Sequence, residues 1–274
     1  KVNEYYITTG TGYATHDFNW INGNIPSELN AQLIDVTSSN AVLSLFGPNA
    51  RDILQVLTIN DVSDNGHPFG SARQISIAGC LVLAMRITYV GELGWELHFP
   101  VEYAQTVYNK LIEAGSPLGL RNAGYRAIET LRLEKGYRAW SSDIGPDHTP
   151  DEAGLGWAVK MKSNISFKGR DAIEKQRAEG IKKIMSTFTI DSNVILSGRE
   201  TIYRNGERCG WLSSAGFGHT IGKFIGMGYV RSDRYIDHDF VLSGDYELEV
   251  ATKRVRANVC LKPLYDPKLE KVKT

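Results

Sequence analysis

Tyr89-Val90-Gly91-Glu92-Leu93-Gly94-Trp95-Glu96-Leu97-His98 is the stretch on which the reading of this chain turns. The runs on either side, residues 81–89 and 95–99, are rich in apolar and β-branched side chains. They read as two strands, with Val90-Gly91-Glu92-Leu93-Gly94 as a five-residue hairpin loop between them. Alternation along the second strand puts Trp95, Leu97 and Phe99 on one face and Glu96 and His98 on the other. That polar face either looks into water or borders a cleft that Glu96 enters with Tyr89 nearby. In a cleft, a fixed carboxylate can accept two N–H bonds from an aminopyrimidine-like ring, a pairing that needs this one charged residue.

Working outward, residues 41–46 and 73–77 are further strands, and residues 51–57 are helical. Val101, Ala104, Val107, Tyr108, Leu111 and Ile112 recur at helical spacing before Gly115. Together these elements make a small α+β lobe. Residues 1–9, aromatic and β-branched, predict a strand, and residues 15–21 a helical turn. Asn122 is placed to cap a long helix reaching about Trp140, on which Ala127, Leu131 and Glu134 share one stripe. A carboxylate on such a stripe needs a partner, and Arg132 and Arg138 are the local choices for a structural ion pair. Residues 141–156 read as a structured loop and residues 167–178 as a helix. Beyond Gly180 the pattern changes to short strands separated by turns. Asn205-Gly206 marks a tight hairpin among them, and an antiparallel barrel or sandwich follows. The division falls near residue 180, giving units 1–180 and 181–274.

The chain has 274 residues with 31 basic and 31 acidic side chains, a balance that argues against a nucleic-acid-binding protein. It has no apolar run of membrane-spanning length. Cys80, Cys209 and Cys260 are isolated, which fits reduced structural thiols rather than a disulfide framework or zinc site. The six histidines have no metal-ligand spacing, so no metal is expected. Gly10-Thr11-Gly12 lacks the third glycine of a dinucleotide fingerprint, and P-loop and GxSxG patterns are absent. The chain opens on Lys1 without an initiator Met and reads as a piece whose beginning has been removed.

The hairpin motif is followed by Gly124-Tyr125-Arg126-Ala127-Ile128-Glu129-Thr130-Leu131-Arg132-Leu133-Glu134-Lys135-Gly136-Tyr137-Arg138-Ala139-Trp140. Leu45-Phe46-Gly47-Pro48, Phe167-Lys168-Gly169-Arg170 and Gly216-Phe217-Gly218-His219 support the pair. In this order they resemble the tetrahydrofolate-binding aminomethyltransferase family, which includes the glycine cleavage T-protein. The resemblance is strongest to the folate half of sarcosine and dimethylglycine dehydrogenases. It implies an α+β cloverleaf around a folate channel, with a ferredoxin-like lobe at about 36–115 and an antiparallel barrel lobe after 180. It also implies that Glu96 holds the pterin, that Tyr89, Tyr5, Ile7 and Thr9 line the same pocket, and that Trp157 contacts folate; pattern alone leaves Trp157 as core or stacking wall. The family's folate-binding arginine is Ile128 here, with Arg126 one turn away. Its catalytic aspartate lies upstream of residue 1, so no catalytic residue is assigned.

The resemblance implies tetrahydrofolate-dependent one-carbon transfer from an amine such as sarcosine, dimethylglycine or a glycine-derived aminomethyl group. FAD enters only if a flavin domain or partner subunit exists elsewhere. The alternatives are a non-catalytic folate-fold module, as in the regulatory subunit of pyruvate dehydrogenase phosphatase, and a folate-dependent demethylase. A bacterial cytoplasm or a mitochondrial matrix suits the cysteine usage.

Overall fold

Helix α1 (Ala14–Gly23) follows a segment whose described residues, 3–10, pair with no strand. The computed structural model describes residues 3–192 and 194–274. The strand expected over residues 1–9 is therefore corrected for residues 3–9, while Lys1 and Val2 lie outside the described residues. The physical reason is the absence of a ladder: β-branched residues favour an extended backbone, but only a neighbouring strand makes it a sheet.

Strand β1 (Asn40–Phe46), helix α2 (Ala50–Gln55), strands β2 (Ala72–Ile77), β3 (Cys80–Met85) and β4 (Gly94–Pro100), and helix α3 (Ala104–Gly115) form the first packed unit. Its sheet runs β1-β4-β3-β2 with antiparallel neighbours. The alternation expected in β4 holds on one face, where Trp95, Leu97 and Phe99 are sealed into the core with Leu54, Val82 and Val107. The hairpin is longer than expected. Strand β3 stops at Met85, which pairs with Glu96, so Arg86 to Leu93 form the connection. Arg86 lies just past β3: its amide still donates to the Ser71 carbonyl, and its buried guanidinium turns to Asp64 and to the carbonyl of His67. Further along this connection, Gly91 has φ +79°, and a Cβ there would stand 2.9 Å from Lys135 Cδ.

Helix α4 (Tyr125–Lys135) is shorter at both ends than its sequence pattern. Gly124 rather than Asn122 precedes it, and the Asn122 amide donates to Tyr108 Oη instead. Gly136 ends it in the left-handed region at φ +69°, where the amides of Gly136 and Tyr137 return to the carbonyls of Leu133 and Arg132. Helix α5 (Arg170–Glu179) begins after Gly169 rather than at Phe167.

Strands β5 (Ile181–Ile190), β6 (Thr201–Arg204), β7 (Glu207–Gly218) and β8 (Lys223–Ile236), helix α6 (His238–Leu242), strands β9 (Tyr246–Val250) and β10 (Lys253–Cys260), and helix α7 (Glu270–Lys273) complete the chain. The six strands close as β10-β5-β8-β7-β6-β9 around Phe188, Ile202, Leu212, Val230 and Leu248. Asn205 and Gly206 both have positive φ between the paired residues Arg204 and Glu207, as the Asn-Gly signal required.

Helix α4 bolts the barrel to the rest through buried charges. Arg132 reaches Asp143 Oδ2 at 2.5 Å, Glu129 at 2.9 Å and Ser214 Oγ at 2.8 Å. Glu134 pairs with neither Arg132 nor Arg138, contrary to expectation. Its carboxylate accepts the Thr220 and Ile221 amides at 2.6 and 3.3 Å, capping the turn between β7 and β8. Two backbone donors supply what a buried carboxylate needs without a cation.

Candidate functional site

The face of β4 opposite the core carries Glu96 and His98, and the N-terminal segment with α1 passes over it. Between them lies a cavity of about 380 Å³. Ile7, Phe18, Ile21, Leu33 and Val42 form its apolar walls; Tyr6, Thr9, Asp17, Glu96 and His98 supply polar groups. This is the composition of a small-molecule pocket, in which an apolar lining holds a few convergent polar groups.

Those polar groups form two connected sets. Tyr6 Oη lies 3.2 Å from His98 Nδ1, with the two rings edge to face. The other imidazole nitrogen, Nε2, is 3.5 Å from Glu96 Oε2. His98 is buried, whereas the Glu96 side chain is 27% exposed, so the carboxylate stands at the boundary between the protein and the cavity. In the second set the Thr9 hydroxyl donates to the Asp17 carboxylate, and His16 Nδ1 lies 2.9 Å from its other oxygen. The Thr9 bond first, and the His16 bond second, hold the Asp17 carboxyl below the usual carboxylate range. Burial pushes the Tyr6 phenol up.

The site residues read from the sequence are thus brought together in part. Glu96, Ile7 and Thr9 share the cavity. Tyr5 is 85% exposed and does not line it. Tyr89 lies outside it as well: its hydroxyl donates to the Arg138 carbonyl at 3.1 Å and its ring stacks on Tyr137. Burial there raises the Tyr89 phenol to about 12. Trp157 sits on the 3₁₀ turn Gly156–Ala158 and is 79% exposed, so neither core nor cavity wall describes it. Ile128 lines a second, mostly apolar cavity of about 580 Å³ between β1, α3 and α4, and Arg126 is exposed. The carboxylate at that second cavity, Glu92, is already bonded to the Tyr265 hydroxyl.

Sequence reading missed Tyr6, Asp17 and His98. His98 carried a signal, its shared face with Glu96, but burial of that face depends on Tyr6, 92 positions upstream. Among the described residues no group of three or more His, Cys, Asp or Glu is placed to hold a metal ion. No described helix is long and apolar enough to cross a membrane.

A sheet lobe and a closed six-stranded barrel, joined by a charged helix and bordered by a carboxylate-bearing pocket, define an α+β protein of the aminomethyltransferase architecture. The family model described as "GCVT N-terminal domain" matches residues 1–163, and that described as "Glycine cleavage T-protein C-terminal barrel domain" matches residues 183–266. The chain belongs to this glycine cleavage T-protein family. It is 42% identical over 272 residues to mitochondrial sarcosine dehydrogenase of Mus musculus, covering 98% of this chain and 30% of that protein. It is 32% identical to the mitochondrial pyruvate dehydrogenase phosphatase regulatory subunit of Mus musculus, covering 95% of this chain and 31% of that one. The chain therefore spans about 30% of the length of these relatives. The crystal structure of glycine cleavage system aminomethyltransferase T from Bartonella henselae has the same fold, with a TM-score of 0.78 at 24% identity, covering 93% of this chain and 67% of that one.

Proposed function

We propose that this chain binds tetrahydrofolate at Glu96 and serves one-carbon transfer from an amine donor. The observation that carries the reading is the position of Glu96, a partly exposed carboxylate at the wall of a cavity that combines apolar walls with a few polar groups. Such a group fits a flat aminopyrimidinone, whose ring N–H and exocyclic amino group present two parallel donors to one carboxylate. Ile7, Phe18 and Ile21 would cover the ring faces and exclude water. When bound, tetrahydrofolate supplies a nucleophilic ring nitrogen for the one-carbon unit. The chain's contribution is to fix that ring's place and orientation.

Sarcosine, dimethylglycine or a glycine-derived aminomethyl group is the donor class in this reading, in keeping with the sarcosine dehydrogenase relative. Oxidation of such an amine calls for FAD on another domain or subunit, and no residue of this site is assigned to it. In the same reading residues 1–180 carry the folate site, residues 181–274 brace it, and the protein works in a mitochondrial matrix or a bacterial cytoplasm. The phosphatase regulatory subunit among the relatives supports a second reading, a folate-fold module that binds without turnover.

Calorimetric titration of tetrahydrofolate into this chain and into Glu96→Gln tests the proposal. Removing one charged acceptor is expected to weaken binding by about 2 kcal/mol, more than tenfold. Equal affinity in both proteins would remove Glu96 from the site. Binding without one-carbon uptake when the amine and an oxidising partner are supplied would favour the module.

A further inference from the structure

We infer that Tyr6 and His98 form a hydrogen-bonded relay behind Glu96 that aims its carboxylate into the cavity, making His98 a positioning residue of the site. The inference rests on the folate reading for its ligand, but the relay is built from this chain's residues alone.

His98 sits in the middle of β4, opposite Val42 of β1 and Leu83 of β3, so its strand neighbours offer its ring no polar contact. Its two nitrogens face different groups. Nδ1 meets the Tyr6 hydroxyl at 3.2 Å, and Nε2 meets Glu96 Oε2 at 3.5 Å. Nε2 is buried and has no hydrogen bond among the described residues, so Glu96 is the acceptor within reach. A buried donor or acceptor without a partner is costly, which favours a small carboxylate movement that closes the gap.

The tautomer follows from the surroundings. A lone pair on Nε2 would oppose the lone pairs of the carboxylate, whereas an Nε2–H would donate to it. Neutral imidazole carries one ring proton, so Nδ1 is then the acceptor and Tyr6 Oη the donor. The chain of donors runs Tyr6 to His98 to Glu96. It leaves the second Glu96 oxygen, and the remaining lone pairs of the first, for a ligand. The other titratable groups of this cavity are Asp17 and Asp35; Asp17 is engaged by Thr9 and His16, and Asp35 by the Thr37 amide.

Two measurements test the relay. In chain labelled with ¹⁵N-histidine, two-bond ¹H–¹⁵N correlations read the His98 tautomer without any ligand. The Nε2–H form is expected in the parent, with a shift toward Nδ1–H in Tyr6→Phe, where Nδ1 loses its donor. An Nδ1–H form in the parent, or no response to Tyr6→Phe, overturns the relay. Tetrahydrofolate affinity is then compared in His98→Gln, whose amide nitrogen reaches the place of Nε2, and in His98→Phe, which keeps the ring and loses the donor. His98→Phe is expected to bind about tenfold more weakly, with His98→Gln restored to within about threefold of the parent. A purely structural His98 would lower thermal stability in both and leave affinity unrelated to the donor; equal weakening, or none, contradicts the relay. A parent that binds no tetrahydrofolate but shows the Nε2–H tautomer and its Tyr6 dependence refutes the folate reading and leaves the relay standing.

Discussion

Lys135 Nζ lies 2.8 Å from Asp266 Oδ2, and both side chains are almost wholly withdrawn from water, although 131 positions separate them. The same ammonium group also donates to the Asp266 carbonyl at 2.7 Å. The pair fastens the segment after the barrel to the end of α4, beside the Gly91 turn. Removing one member of a buried pair strands the other, so Lys135→Met is expected to lower unfolding stability by about 3 kcal/mol. Urea unfolding followed by circular dichroism measures it; a change below about 1 kcal/mol would show the pair to be dispensable.

Asp266 also sets an acid limit. Burial alone would raise its pKa, but the hydrogen bond from Lys135 and those from the Glu270 and Lys271 amides outweigh burial and lower it. A carboxyl lowered in the folded state contributes stability in full above its unfolded value, about pH 4, and loses that contribution as pH falls through the folded value. Thermal melts between pH 7 and pH 3 are expected to show a fall in Tm below about pH 4 that is smaller in Asp266→Asn. Parallel curves for the two proteins would assign acid sensitivity elsewhere.

The Arg132–Asp143 contact predicts that removing both partners costs much less than the sum of removing each alone. Asp143 is fully buried and also accepts from the Ala139 amide and the Ser213 hydroxyl, so Asp143→Ala leaves a buried guanidinium short of its main partner. A loss of about 3–5 kcal/mol is expected. A double-mutant cycle with Arg132→Met should show the second substitution adding much less than its own single cost. Strict additivity would mean that the two residues act independently.

Tyr89 separates a bracing role from a binding role. Its hydroxyl is spent on the Arg138 carbonyl, so Tyr89→Phe is expected to lose about 1 kcal/mol of stability and to leave tetrahydrofolate affinity within about twofold. A tenfold loss of affinity with unchanged stability would return Tyr89 to the ligand, as the family resemblance implied.

What the sequence disclosed and what it withheld divide along the range of the interactions. The strands and their turns were legible because alternation and Asn205-Gly206 are local signals whose consequences stay local. The face that Glu96 shares with His98 was legible for the same reason. Its cover was not: residues 3–9 have the composition of a strand, but strand formation needs a partner that sequence does not supply. The fate of Glu134 depended on the Thr220 and Ile221 amides, and that of Tyr89 on a carbonyl 49 positions away. Helix α4 ended early because Gly136 occupies the left-handed region, a signal visible in hindsight at the Lys-Gly step. Strand alternation offered a cleft as one setting for Glu96, and Glu96 does line a cavity; neither the pattern nor the resemblance revealed that Tyr6 and His98 stand behind it.

The central claim is that the Glu96 carboxylate grips an aminopyrimidine edge, and ligand chemistry tests it most directly. Affinity for tetrahydrofolate and for its 2-desamino-2-methyl analogue, which lacks one of the two donors, is measured in the parent and in Glu96→Gln. The parent is expected to bind the analogue at least tenfold more weakly, and Glu96→Gln to discriminate far less between the two. An equal preference for the amino compound in both proteins would contradict the account, because the amino group would then be read by a residue other than Glu96.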